Sequence, residues 1–353
     1  MVISRQLCEE AGVPQNYIYE LTAAGNTTMN HLLLNFPVEQ LGQAPYEAYS
    51  VDAHDRRPID LGIKINPEGN IHTIENIAGF VGSDTTAVAV AVGFDAIDEM
   101  TLAIDIGTNG EIVLGTKDKM YAASCAAGPA LEGARIEQGS RAIDGAIERV
   151  FASDNDIDLD VIGNTTARSI CGSGLIDAVS ELIELGVIDT TGRIKDRDEL
   201  DDSLPQAIVD RLTGKNGQPA FILARNKDSD VNAVILTQKD VRETQLAKAA
   251  ISAGIKLLQK KVGVTDSQIK HILIAGAFGN YIRRESALRI GLLPNVPPER
   301  IRFVGNAASS GARMILLSSQ YRKIAKDLAK KIEYVEIAHD PNFQTVFTDS
   351  LLF

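Results

Sequence analysis

A chain of 353 residues with 44% apolar content can bury a substantial core, and two domains or two halves of one fold are the expectation. A net charge of −12, without a Lys/Arg cluster longer than one helix face, argues against nucleic acid as a partner, and no apolar run approaches a membrane span. Three scattered cysteines, Cys8, Cys125 and Cys171, give neither a disulfide framework nor iron–sulfur or zinc spacing; with no signal-peptide layout at the start, a cytoplasmic protein is expected.

Ile3, Leu7, Cys8 and Ala11 recur at helical spacing and Gly12 can stop the run, which predicts a helix over 1–12 with nothing upstream to pack on. A short strand over 18–24 ends in Gly25-Asn26-Thr27-Thr28 and leads into a helix over 29–34. Residues 37–70, rich in Pro, Asp and Gly, read as an irregular connection with a strand at 61–65. The stretch IAGFVGSDTTAVAVAVGF (77–94) reads as a loop followed by an Ala/Val helix capped by Ser83 or Asp84. Small residues on almost every face of that helix imply close packing against its neighbours.

Beyond a hairpin at 102–115, a strand at 120–124 leads into glycine-rich AAGPALEGARI (126–136), and residues 134–170 look strand-rich with an acidic loop. Leu175, Ile176, Val179, Leu182 and Ile183 mark a helix over 171–186, with Gly186 at its C-terminal stop. Extended segments at 221–224 and 233–236 precede a long helix, 238–261. A strand at 271–275, a glycine loop and a helix at 281–290 follow. A strand at 301–304, Gly305-Asn306, a helix at 307–330 and a last strand at 332–337 precede a short tail.

The hairpin LAIDIGTNGEIVLG (102–115) is the most informative stretch. Asp105 interrupts an apolar strand, where a carboxylate costs free energy unless it is paired or metal-bound. Gly107, Thr108, Asn109 and Gly110 form a tip whose backbone N–H groups and polar side chains can approach an anion, while Asp105 and Glu111 can hold Mg²⁺ or orient a water. An ordinary Asn-Gly hairpin is the plainer alternative. Three further glycine loops, at 172–174, 276–279 and 305–306, sit between strands and helices, where helix N-termini favour phosphate. None fits GxxxxGK[ST] or a Rossmann GxGxxG with its acidic partner. CGSGL (171–175) lacks the glycine spacing of a nucleophile elbow, and the five histidines show no ligand spacing.

YELTAAGNTTMNHLL (19–33) and KHILIAGAFGNYIRR (270–284) share a plan of apolar strand, Ala-Gly, a turn with Asn, and helix. This weak repeat suggests a duplicated fold with a ligand between its halves.

The ordered set DIGTNGE (105–111), AAGPALEGARI (126–136), ICGSGLIDAV (170–179), QKDVRETQLAKAAISAG (238–254), AGAFGNYI (275–282) and GNAASSGAR (305–313) resembles the C-terminal ATPase region of the reductive activators of corrinoid proteins. AGNTTMNHLLL (24–34) and IAGFVGSDTTA (77–87) extend the resemblance over essentially the whole chain. That family belongs to the acetate and sugar kinase, Hsp70 and actin superfamily. The resemblance implies an α/β, actin-like and RNase H-like duplicated fold, with mixed sheets flanked by helices and its first half incomplete. The first half-domain and linking segment would occupy 1–100, and the second half-domain 101–353, with an insertion near 150–235. It also implies ATP and Mg²⁺, with Asp105 as the metal carboxylate and Asp105 to Glu111 as the second phosphate loop. Gly276, Ala277, Phe278 and Gly279, with Gly305 and Asn306, would flank adenosine or a hinge; Gly172 to Gly174 are a further candidate for nucleotide contact.

The implied activity is ATP-driven reduction of a corrinoid protein from Co(II) to Co(I). Family members usually carry a four-cysteine 2Fe–2S domain and a first phosphate loop of DIGTT type, and neither pattern occurs here. The expected partners are therefore a corrinoid protein and a separate electron donor or N-terminal half, with a homodimer as a further option. Two other readings stay open: a corrinoid-protein-binding module without turnover, and a small-molecule kinase using Asp84 or Asp144 as base.

Overall fold

The computed structural model describes residues 2–226, 229–276 and 282–353. Its first part runs α1 (Val2–Ala11), β1 (Glu20–Ala23), α2 (Thr27–Leu33), β2 (His54–Arg56), β3 (Asn70–Thr73) and α3 (Ser83–Ala91). Next come β4 (Thr101–Ile106), β5 (Gly110–Thr116), β6 (Lys119–Cys125), β7 (Ala146–Ala152), β8 (Ile157–Val161), β9 (Ser169–Ile170) and α4 (Gly172–Glu184). They are followed by α5 (Gln206–Val209), β10 (Leu212–Lys215), β11 (Gln218–Asn226), β12 (Ser229–Thr237) and α6 (Gln238–Val262). The chain ends with β13 (His271–Ala275), α7 (Arg284–Arg289), β14 (Ile301–Gly305), α8 (Ala307–Leu317), α9 (Ser319–Lys331), β15 (Ile332–Tyr334) and α10 (Phe343–Asp349).

A six-stranded mixed sheet in the order β14-β13-β4-β5-β6-β15 forms the centre. Strands β14, β13 and β4 are parallel, β4, β5 and β6 form an antiparallel meander, and β15 joins parallel to β6. The period-two pattern of the strands makes both faces apolar, as a sheet covered on each side requires. Leu102, Ile104, Ile106, Ile112 and Leu114 pack with residues of α4 and α6 on one face. Ala103, Val113, Ala122 and Leu273 lie on the other, under α3, α8 and α9. Asp105 alternates with Ile104 and Ile106, so it points to the α3 side. Smaller sheets, β1-β3-β2, β8-β7-β9 and β10-β11-β12, complete the architecture. Among the described residues, no helix is long and apolar enough to cross a membrane.

The first part is joined to itself by a buried polar knot. Ser83 at the head of α3 accepts hydrogen bonds from the Gly25 N–H (3.0 Å) and the Asn30 side chain (3.2 Å), and its own N–H donates to Asn76 Oδ1 (3.1 Å). In both repeat segments a strand runs through glycine towards a helix. The first helix starts at once behind the cap Asn26, which accepts from the Met29 N–H (2.9 Å); the second begins at Arg284.

Neither Ser83 nor Asp84 caps α3, whose N-cap is Gly82 without a side-chain cap bond; three further expectations need correction. Residues 61–65 are not a strand: Pro58–Leu61 is a 3₁₀ turn closed by Gly62 at φ 65°, and β2 and β3 flank it instead. Proline at the head of the turn and a left-handed glycine behind it prevent an extended run. The helix at 307–330 is two helices, broken at Ser318 (φ −149°, ψ 125°), where the Arg322 guanidinium takes the Ile315 carbonyl freed by the break (3.2 Å). The last strand stops at Tyr334 rather than 337.

Candidate functional site

Because β4, β13 and β14 run parallel, their carboxyl ends open on the same side of the sheet, where crevices of α/β folds form. A cavity of about 580 Å³ lies there. Asp105, Ile106 and Gly107 line it from β4, Gly276 from the end of β13, and Asn306 from the end of β14. Cys171, Gly172 and Ser173 contribute the start of α4, and Glu132, Arg141 and Ala142 complete the wall.

Ile106 pairs with Gly110, so Gly107, Thr108 and Asn109 form the hairpin tip. The tip is closed by the Gly107 N–H donating to the Asn109 carbonyl (2.9 Å) and held from outside by the Gly128 N–H on the Thr108 carbonyl (2.8 Å). The Thr108 hydroxyl donates to the Glu132 carboxylate. Two glycines are required by close approach. A Cβ on Gly110 would stand 2.8 Å from Cys125 Sγ and 3.1 Å from Ile251 Cγ1 of α6. Gly276, at φ +99°, leaves room for a Cβ only 2.7 Å from the Ile106 carbonyl and 2.8 Å from Asp105 Oδ1. Gly276 thus lies directly against the carboxylate of β4.

The electrostatics of the hairpin are those of crowded like charges. Burial, and then the carboxylate of Asp84 at the head of α3, push Asp105 up to about 6. Burial, then Asp84 and Asp105, push Glu111 up to about 8, against a hydrogen bond from the Ser124 hydroxyl (3.4 Å). Burial also raises Asp84. A cation close to Asp105 would relieve this crowding. Among the described residues, no three His, Cys, Asp or Glu side chains converge closely enough to enclose a metal ion. A divalent cation at Asp105 would therefore need water or phosphate for most of its ligands, the usual mode of Mg²⁺.

Helix starts supply the opposite sign. Helix α4 begins at Gly172 behind Cys171, which makes no side-chain cap bond, so its first N–H groups are uncapped at the cavity wall. A Cβ on Gly174 would strike the Ile147 carbonyl at 2.2 Å, and this close contact seats α4 on β7. Asn306 instead caps α8, its side chain accepting from the Ser309 N–H at 3.0 Å.

A family model described as the C-terminal domain of RACo, the ASKHA domain, matches residues 99–353. The chain belongs to the RACo family. A second RACo model, for the middle region, matches residues 2–97. The corrinoid activation enzyme RamQ of Eubacterium limosum is 39% identical over 353 residues, covering 99% of this chain and 59% of that protein. A Co(II) methylated amine-specific corrinoid protein reductase of Methanosarcina barkeri is 26% identical over 297 residues, covering 77% of this chain and 49% of the relative. A solved structure of a reductive activator for corrinoid, iron-sulfur protein superposes with a TM-score of 0.88 at 35% identity, covering 99% of this chain and 55% of that one. The chain thus spans about half to three-fifths of the length of these relatives. The actin-like ASKHA fold expected from the sequence is the fold found, and such a domain is of the nucleotide-binding type.

Within this RACo domain, the sequence candidates are placed unequally. Asp105, Gly107, Gly276 and Asn306 come together on the cavity. Thr108 and Asn109 are exposed at the tip beside it, Gly110 is buried beneath it, and Gly305 (φ 65°) accepts the Gly276 N–H at 3.0 Å. Glu111 shares the α3 side of the sheet with Asp105 and Asp84 but does not line the cavity. Ala277, Phe278 and Gly279 lie outside the described residues. The sequence reading missed Glu132 and Arg141, although both flank the Gly133 to Gly139 segment of an already notable glycine-rich stretch.

Proposed function

We propose that this chain supplies the ATP-binding and corrinoid-protein-docking part of a reductive activator that returns a corrinoid protein from Co(II) to Co(I). The observation that carries the reading is the convergence of the β4 tip, Gly276, Asn306 and the start of α4 on one cavity, in a chain matched to RACo over both its parts. The names of the relatives point to corrinoid proteins as the partner.

In this reading the uncapped start of α4 and the backbone of the Gly107–Asn109 tip bind the phosphates, and Arg141 adds a positive charge on the same wall. Mg²⁺, which neutralises phosphate charge, would be held by Asp105. Burial, and then Asp84 of α3, make the ionised form of Asp105 costly in the absence of a cation, so metal and nucleotide bind together. ATP then favours one arrangement of the two parts of the fold over another, and the corrinoid protein meets the favoured one. Such a shift requires ATP to bind one arrangement more tightly. The electron comes from a separate donor or another part of the protein, and the setting is the cytoplasm.

Calorimetric titration with Mg-ATP, beside an Asp105→Ala variant, tests the reading. Binding in the parent that is lost in the variant supports it, and Co(II) corrinoid reduction assays with and without ATP follow. No binding by the folded parent overturns it.

A further inference from the structure

We infer that Glu132 is the carboxylate that orients the attacking water and takes its proton when ATP is hydrolysed at this site, an inference that rests on the nucleotide reading above. Asp105 and Glu132 are the acidic residues of the cavity wall. Asp105 sits inside the sheet with Oδ1 against Gly276, the position for holding a cation rather than for moving a proton. Glu111, the other acid of the hairpin, stands beside Asp105 on β5 and does not line the cavity.

Glu132 also has the mounting that a base needs, since geometry comes before acidity in such a role. Its Oε1 accepts the Thr108 hydroxyl at the tip of the proposed phosphate hairpin, and a carboxylate has further lone pairs for a water. The turn that carries it, Pro129–Glu132, is fixed on three sides. The Gly128 N–H bonds the Thr108 carbonyl (2.8 Å). Gly133, at φ +78°, leaves a Cβ position only 2.4 Å from the Ser140 carbonyl, and a Cβ on Gly139 would stand 2.0 Å from the Gly133 carbonyl. Residues 133–140 therefore close into a loop whose neck is backbone against backbone. The Ser140 N–H then bonds the Ile170 carbonyl (2.9 Å), immediately before Cys171 and α4. Glu132 on one side of the neck and Arg141 on the other are held relative to both the hairpin tip and the helix start.

In the step itself the water oxygen bonds to the γ-phosphorus while the bond to the bridging oxygen breaks, and that electron pair leaves with ADP. The water proton passes to Glu132 and later to solvent. Arg141 stabilises charge on the transferred phosphoryl group.

The test compares phosphate release and calorimetric Mg-ATP binding in the full chain and in Glu132→Gln, which keeps an acceptor for Thr108 but removes the base. The expected result is Mg-ATP affinity within about threefold of the parent and a kcat lower by about 10²–10⁴-fold. If Glu132→Gln does not fold, Glu132→Asp carries the test: retracting the carboxylate by one methylene is expected to lower kcat at unchanged affinity. An unchanged kcat in the folded variant overturns the inference, as does a parent that binds Mg-ATP without releasing phosphate. A folded parent that fails to bind Mg-ATP overturns the nucleotide reading itself.

Discussion

Asp105 and Glu111 stand directly opposite each other across the antiparallel β4–β5 pair, with Asp84 of α3 acting on both. Three acidic groups on one face of a buried hairpin are costly when ionised, and the cost has a definite pH signature. The folded state holds Asp105 up to about 6 and Glu111 up to about 8, from ordinary values of 3.8 and 4.5. Native chains thus keep protons that unfolded chains release. The stabilisation is complete below the unfolded values and is lost as pH rises through the two folded ones.

The ligand-free chain is accordingly expected to lose stability on the order of 2 kcal/mol or more between about pH 5 and pH 9. Glu111→Gln should remove the upper part of that loss and leave the part due to Asp105. Thermal unfolding followed by circular dichroism across this range checks it. An equally steep decline in the variant would show that Glu111 is not the group responsible.

A Gly276 variant tests the close approach of that residue to the β4 carboxylate. Gly276→Ala must accommodate φ +99° and a Cβ 2.8 Å from Asp105 Oδ1, so a loss of about 1–3 kcal/mol is expected, together with Mg-ATP binding weakened more than about tenfold. Gly107→Ala, in the proposed phosphate tip, is a control for stability alone: its Cβ would meet only the Asn109 carbonyl at 3.5 Å, an ordinary contact. Denaturant unfolding of both variants and calorimetry of Gly276→Ala check this. Equal stability of the two variants, with parental Mg-ATP affinity in Gly276→Ala, would mean that the close approach at Gly276 carries no function.

Lys248 is 1% exposed in the middle of α6, where its ammonium donates to the Leu352 carbonyl and lies 4.9 Å from the Phe353 ring. Burial, and then the like charge of Lys256, push it down to about 8. Here the sign reverses, because the unfolded chain keeps a proton that the native chain gives up. Stability is expected to rise as pH passes from about 8 towards about 10.5, and Lys248→Met should flatten that rise. Chemical denaturation at about pH 8 and pH 10 measures it, and a rise of the same size in Lys248→Met would refute it.

How much of this was legible beforehand follows from the kind of signal each feature leaves. The central strands and α4 and α6 were readable because their apolar period survives on buried faces, as Leu175 to Ile183 and Leu102 to Ile106 illustrate. The break at Ser318 was not, since an extended serine between two helices alters no periodicity. Asp105, Gly107, Gly276 and Asn306 could be picked out one loop at a time, because each marks a strand end. Glu132 and Arg141 could not, because what brings them to the cavity is the backbone contact of Gly133 with Gly139. A spacing of six carries no such message by itself.

The crossing of α3 and α8 gives the sharpest packing test. A Cβ on Gly311 would stand 1.9 Å from the Ala87 carbonyl oxygen and 2.9 Å from its Cα, so the two helices meet through backbone. By helix propensity alone, Gly311→Ala inside α8 should gain about 1 kcal/mol. Overpacking in a filled interior costs about 1–3 kcal/mol, and here the atom struck belongs to the main chain of a neighbouring helix and cannot rotate away. The cost should win, with a net loss of about 1–2 kcal/mol in denaturant unfolding. Truncating the neighbour does not help: Ala87→Gly leaves the carbonyl in place, so the double variant is expected to be no more stable than Gly311→Ala. Because α3 carries Asp84 at its head, forcing the helices apart should also shift the pH dependence attributed to Asp105 and Glu111. A Gly311→Ala chain as stable as the parent would mean that the two helices are not in backbone contact in solution.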